Sequence, residues 1–365
     1  MKSIGPKYKR IVIKVGSNVI AKNDGSINEW RVSQLVQDIS VLFKWGIEVI
    51  LVTSGAVAAG RSEVSVSRKT NLVSARQVWS AIGQVKLMSK YQYFFSKFGI
   101  PAGQVLATKE SFRDRTHYLN MKSCISAMFE RGVLPVVNEN DTVSVNELMF
   151  TDNDELSGLI SSMMDCTTLI ILSNVDGLYD GKPGSEGSKL IRVVEPDTEN
   201  LSSFISSSGS GYGRGGMATK YSVARKLSGE GIDVYIANGT RDSVLIDIIR
   251  CKDIPCTLFR SGTMKEKSIR KWISHSETFA RGAVIVNKGA REAILAGKAA
   301  SLLMVGITAV EGYFRKGDIV SILDENRKSI GLGKTQYDSA KAQQSVGQKM
   351  KKPFIHCDYL VINGK

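Results

Sequence analysis

Two lysines and a set of short polar side chains carry most of the chemistry this sequence can offer. Lys14 ends a strand-like run in IKVGSN with Gly16 just behind it. An ammonium group and glycine-exposed backbone amides would then face one space, a pairing that suits phosphate oxygens. A surface lysine at an ordinary strand end is the alternative. TSGAVAAG, residues 53–60, repeats the design at Ser54 and Gly55, where a strand gives way to small residues that can start a helix. It reads equally well as an anion site or as a close-packed helix start. The glycine-rich GSGYGRGGMATKYSVARKL delivers Arg214, Gly215, Gly216, Met217, Ala218, Thr219 and Lys220 to the beginning of a helical run. Such a loop suits closure over a triphosphate, with amide donors and one positive charge. GYGRGG also satisfies the dinucleotide fingerprint, but a Ser-rich stretch rather than a strand precedes it, so a Rossmann turn is not expected. A Walker A loop is absent from the chain.

NENDTVS and TDNDELSG gather Asp141, Asp152, Asn153 and Asp154 within a short span. One reading is Asx turns and a helix cap ahead of DELSGLISSMM. The other is a set of carboxylates and amides that hold a substrate ammonium or the waters of Mg²⁺. His117, His275 and His356 are widely separated, so a histidine metal cluster or hydrolase triad has little to build on, and no metal ligands are assigned. Five cysteines without C-x-x-C spacing suit reduced thiols in a cytoplasm better than a disulfide framework.

The elements that must position these groups follow a βαβ rhythm from Arg10 to about Ile249. RIVIKVG, IEVILVTSG, VLPVVNEN, TTLIILSNVDG and IDVYIANG are strand-like, and VSQLVQDISVLFKWG is helical. In a parallel sheet of this kind the turns VGSN, TSGAVAAG, NENDTVS and SNVDG converge on one rim beyond the carboxyl ends of the strands. The expected architecture is α/β, a mostly parallel sheet sandwiched by helices over residues 1–260. A small β-rich domain over 267–365 follows, with CKDIPCTLFRSG as the linker and AVIVNKGAREAILAG, GDIVSILDENRKSIGLG and DYLVI as short strands and turns. The formal charge of +14 is concentrated at the end of the chain: residues 261–365 carry 18 basic against 9 acidic side chains. That third is a candidate for nucleic-acid contact or a well-solvated surface. With no apolar run long enough to span a bilayer, a soluble cytoplasmic protein is expected.

Taken in order, IKVGSN, LVTSGAVAAG, AGQVLATKESFRDRTHYLN, VLPVVNENDTVS, FTDNDELSGL, GLYDG and GRGGMATK resemble the amino acid kinase family, in its glutamate-phosphorylating branch. The resemblance covers nearly all of residues 8–250. RKWI, GAREAIL, GKAASLL and VEGYFRKGDIV resemble a PUA domain from about Lys267 onward. The resemblance implies the amino acid kinase fold and transfer of the γ-phosphoryl group of ATP to the side-chain carboxylate of L-glutamate, the first step of proline synthesis. Lys14 and Lys220 would clamp phosphate as catalytic lysines. Ser54, Asp141 and Asn153 would bind glutamate with Asp154 supporting them, and Ser173, Asn174 and residues 214–220 would line the ATP side. Family habit adds Mg²⁺, a homo-oligomer and feedback by proline. Acetylglutamate or aspartate as acceptor, and an RNA-binding protein acting through the PUA-like domain, are the competing readings. The chain reads Ser173-Asn174 where the family commonly shows Thr-Asp, so a negative charge that could orient Lys220 is missing there. Asp176 either compensates or forms a turn.

Overall fold

A computed structural model describes residues 8–22, 24–67, 70–143, 150, 152–181, 183–198, 201, 216–262, 273, 280–296 and 300–362. The chain divides into two compact units, Met1–Ser111 with Thr116–Lys265, and Phe112–Arg115 with Glu266–Lys365. No helix among the described residues is long and apolar enough to cross a membrane.

The first unit is built on strands β1 (Arg10–Val15), β2 (Glu48–Thr53), β3 (Ala102–Ala107), β4 (Leu134–Glu139), β5 (Thr168–Ser173), β6 (Val193–Val194), β7 (Asp233–Asn238) and β8 (Cys256–Phe259). Between them lie helices α1 (Ser17–Ile20), α2 (Glu29–Lys44), α3 (Ala56–Arg61), α4 (Leu72–Ser96), α5 (Lys109–Arg113), α6 (Arg115–Glu130), α7 (Asn153–Met163), α8 (Met217–Gly229) and α9 (Val244–Ile249). Strand order is β3-β4-β2-β1-β5-β7-β8-β6. The central strands β1, β2, β4 and β5 are near-continuous apolar runs because helices cover both faces of the sheet. They are neighbours and all parallel, so the four turns after them meet at one edge, as expected. The departure is CKDIPCTLFRSG, which is no linker. Its CTLF segment is β8, paired antiparallel to β7 inside the main sheet. Thr257 makes that burial affordable by donating to Ile191 O and accepting from Leu178 N.

Helices α3 and α4 cross at glycine. A Cβ on Gly83 would sit 1.8 Å from Ala56 O, and one on Gly60 would sit 1.8 Å from Trp79 O. Neither contact can yield without moving a helix backbone. Gly83→Ala is therefore expected to cost about 1–3 kcal/mol or more, read as a lowered urea midpoint, and to weaken acceptor binding because α4 carries residues of the site described below.

The second unit holds β9 (Gly282–Val286), β10 (Ile307–Gly312), β11 (Ile319–Leu323), β12 (Ser329–Thr335) and β13 (Ile355–Ile362), in the order β10-β9-β11-β12-β13. Its core packs Phe314, Phe354 and Tyr337 against the sheet. GAREAIL, read above among strands and turns, belongs to helix α10 (Lys288–Leu295), and a further helix α11 spans Ser339–Gln344. Asn287 starts α10 by accepting from Ala290 N at 2.9 Å, a cap that stops β9 and turns the chain into helix. Along β13 the consecutive residues His356, Cys357 and Asp358 have ligand atoms within 4.8 Å of one another. His356 Nδ1 accepts from the Asp358 amide at 3.2 Å.

Candidate active site

The two lysines singled out from sequence meet on one carboxylate. Lys14, near the end of β1, places Nζ 2.6 Å from Asp154 Oδ1, and Lys220, in the first turn of α8, places Nζ 2.9 Å from Asp154 Oδ2. Local sequence explains the convergence. Asp152 caps α7 by accepting from the amides of Asp154 and Glu155, so Asp154 falls in the first turn and faces the rim. Gly158 on α7 lies close against Val223 on α8, and that approach carries Lys220 onto Asp154. All three side chains are buried, with Asp154 fully enclosed. Burial acts to raise the Asp154 carboxyl, but the charges and hydrogen bonds of Lys14 and Lys220 outweigh it and hold the group down at about 2. Burial, and then the Asp154 charge, push its neighbour Asp152 up to about 7. Two ammonium groups thus converge on one buried carboxylate at the sheet edge.

Beside it runs a row of amides and hydroxyls. Asn153 Nδ2 donates to Thr53 O at 2.7 Å, Ser54 Oγ at 2.9 Å and Asn138 Oδ1 at 2.9 Å. Three acceptors around the nitrogen fix the amide's orientation. Asn153 Oδ1 is left buried with no hydrogen-bond partner among the described residues. Asn138 in turn donates to Gln84 Oε1 at 2.7 Å. Asp141, in the turn after β4, accepts at Oδ1 from Arg76 Nε and Nη2, and at Oδ2 from Ser80 Oγ. Arg76, Ser80 and Gln84 thus form a polar ladder along one face of α4. Sequence reading missed all three and Asn138. The available signal was the i, i+4, i+8 spacing on a helix whose other buried positions are mostly apolar.

The remaining candidates fall less uniformly. Gly16 does not offer a free amide, because its N–H donates to Leu172 O at 3.1 Å and closes the end of β1 against β5. Ser173 and Asn174 lie at the end of β5, where Ser173 Oγ donates weakly to Asn174 Oδ1 at 3.4 Å. Asp176 accepts from Tyr179 OH at 3.4 Å. The counter-charge of Lys220 is therefore Asp154, which the sequence reading had assigned to the glutamate side, and neither residue 174 nor Asp176 is needed for it. Gly216 is the N-cap of α8, and the first-turn amides of Met217, Ala218 and Thr219 lie at a helix end with no side-chain cap. Arg214 and Gly215 lie outside the described residues.

The sequence pattern of the amino acid kinase family matches residues 9–238. The chain belongs to the amino acid kinase family. The pattern of the PUA domain matches residues 282–354, within the second unit. A protein named glutamate 5-kinase from Bacteroides thetaiotaomicron is 51% identical over 357 residues, covering 98% of this chain and 99% of its own. A second of that name, from Chlorobaculum tepidum, is 48% identical over 363 residues and covers 98% of each chain. Every element of an amino acid kinase scaffold that brings Lys14, Ser54, Asp141, Asn153, Asp154 and Lys220 to one rim lies in the first unit.

Proposed function

We propose that this amino acid kinase transfers the γ-phosphoryl group of ATP to the side-chain carboxylate of L-glutamate, giving γ-glutamyl 5-phosphate for proline synthesis. The acceptor is supported by full-length relatives named glutamate 5-kinase. The chemistry is supported by one observation above all, the meeting of Lys14 and Lys220 on Asp154. A glutamate side chain has an ordinary pKa near 4.3 and is ionised at neutral pH, so no general base is required. The barrier is the approach of one anion to another. Fixed positive charge, held in a buried site and needing no reorganisation, lowers it.

In this reading Lys14 and Lys220 contact the migrating phosphoryl group, and Asp154 positions both without touching substrate. The open first-turn amides of Met217, Ala218 and Thr219 face the nucleotide phosphates, with Ser173, Asn174, Arg214, Gly215 and Gly216 completing the ATP side. Ser54, whose oxygen accepts from Asn153, keeps its own O–H to donate to the acceptor carboxylate. Asn153 and Asp141 hold the rest of the amino acid. Asp154 fits Mg²⁺ poorly as a direct ligand because both of its oxygens face lysine ammonium groups, and Asp141 is held at Oδ1 by the Arg76 guanidinium, whose positive charge opposes a dication there. Mg²⁺ then enters with the nucleotide and draws no ligand from these two side chains. Homo-oligomeric assembly and feedback by proline belong to the same proposal on family habit alone.

Incubating the full chain with Mg-ATP, L-glutamate and hydroxylamine is expected to release ADP and accumulate γ-glutamyl hydroxamate in equal amounts. ADP release that is faster with aspartate or acetylglutamate than with glutamate would overturn the acceptor assignment.

A further inference from the structure

Arg76 spends little of its hydrogen-bonding capacity inside the protein. Its Nε and Nη2 both donate to the same oxygen, Asp141 Oδ1, at 3.1 and 2.9 Å. A guanidinium carries five N–H donors, so Nη1 and one hydrogen of Nη2 keep no partner among the described residues. The side chain is 27% exposed, against 8% for Asp141, and none of its nitrogens is a sealed, unsatisfied atom. The pair therefore presents a carboxylate and a partly open guanidinium side by side.

Fastening α4 to the strand ends does not need this arginine. Ser80 already donates to Asp141 Oδ2, Gln84 accepts from Asn138, and Gln77 Nε2 donates to Thr142 O at 2.8 Å. What Arg76 adds is charge of opposite sign next to Asp141. An α-amino acid carries its ammonium and carboxylate on one carbon, and adjacent opposite charges are the complement of that zwitterion. The order of groups along the rim agrees. Arg76, Ser80 and Gln84 follow one another at four-residue steps on α4, the first two bonded to Asp141; from Gln84 the polar contacts pass through Asn138 and Asn153 to Ser54, and the lysine-bound Asp154 follows Asn153 directly. An amino acid with a second carboxylate would lie with its zwitterionic end at Arg76 and its other end toward the lysines.

We infer that Arg76 recognises the α-carboxylate of the acceptor while Asp141 takes its α-ammonium, an assignment that rests on the glutamate-phosphorylating reading above. Planar guanidinium geometry matches a carboxylate with two parallel N–H donors, which a lysine ammonium cannot reproduce. The pair then selects for free α-amino acids against analogues whose α-carboxylate is masked.

The test compares L-glutamate with L-isoglutamine, which keeps the α-ammonium and γ-carboxylate but carries a neutral amide in place of the α-carboxylate. Steady-state ADP release is measured for the full-length wild type, Arg76→Gln and Arg76→Lys. The wild type is expected to favour glutamate in kcat/KM by on the order of tenfold or more, the size of one charge-assisted contact. Arg76→Gln should raise KM for glutamate by a similar factor with kcat and the KM for ATP nearly unchanged, and should collapse the preference over isoglutamine. Arg76→Lys should recover part of it. An Arg76→Gln variant that weakens both acceptors equally, leaving their ratio at the wild-type value, would show that Arg76 only holds Asp141 and would overturn the inference while glutamate phosphorylation stands. A wild type that turns over no glutamate would overturn the function itself.

Discussion

Lys220→Met and Lys14→Met are each expected to lower kcat by about a hundredfold or more while the protein stays folded. One stabilising contact on a developing charge is typically worth about 3 kcal/mol of barrier, and the proposed mechanism gives that contact to the two buried lysines. The native state should tolerate either change for a geometric reason. Asp154 is shared, so removing one lysine leaves its carboxylate paired with the other, and the apolar methionine stem fits a site already closed to water. Single-turnover rates measured alongside thermal melts check both halves. Near-normal turnover in either variant would remove that lysine from the catalytic set, and an unfolded variant would show that the cluster is structural.

Asp154→Asn should behave in the opposite way, losing stability as well as turnover. It strips the common counter-ion from two buried ammonium groups and sets an amide N–H₂ against them. Breaking a buried pair by removing one partner costs roughly 3–5 kcal/mol. The pH dependence separates this from simple loss of shape. Because Lys14 and Lys220 hold the Asp154 carboxyl down from 3.8 to about 2, its contribution is fully present above pH 3.8 and is lost as pH falls through about 2. Urea unfolding followed from neutral pH down to pH 2 should therefore show a flatter acid limb in Asp154→Asn than in the wild type. Adding Lys220→Met to Asp154→Asn removes one of the two repelling charges and should return part of the lost stability. Identical acid limbs in wild type and variant would contradict the ion-pair assignment.

Much of this arrangement was legible because strand periodicity is a local signal. IKVG, LVTSG and VVNEN each show where an apolar run stops, and a parallel sheet brings such stops to one edge whatever the intervening helices do. The pairing of Lys14 with Lys220 could be expected as a shared destination, but not the carboxylate that joins them. DND offers three polar residues in a row, and only the cap made by Asp152 decides which one turns toward the lysines. Arg76, Ser80 and Gln84 were overlooked because they sit in the middle of a long helix, where an arginine reads as solvated surface until its partner across the fold is known. CTLF was mistaken for linker because four residues between proline and glycine carry too short a pattern to reveal an edge-side strand, and GAREAIL because its helix covers only two turns.

The placement of β1 has a further meaning for how the enzyme comes off the ribosome. This strand precedes the other described strands in the chain, yet it lies in the middle of the sheet, between β2 and β5. A nascent chain can pair β1 with β2 soon after both emerge, but the other flank of β1 stays open until residues 168–173 follow. Such sequence-distant pairing is slow and leaves an unpaired strand edge exposed in the interval. During that interval Lys14 sits on a half-built sheet, and its partner Asp154 emerges well before Lys220. Lys14 therefore gains its second flanking strand only when residues 168–173 have followed it, and its carboxylate partner is complete with both lysines only when Lys220 has been added.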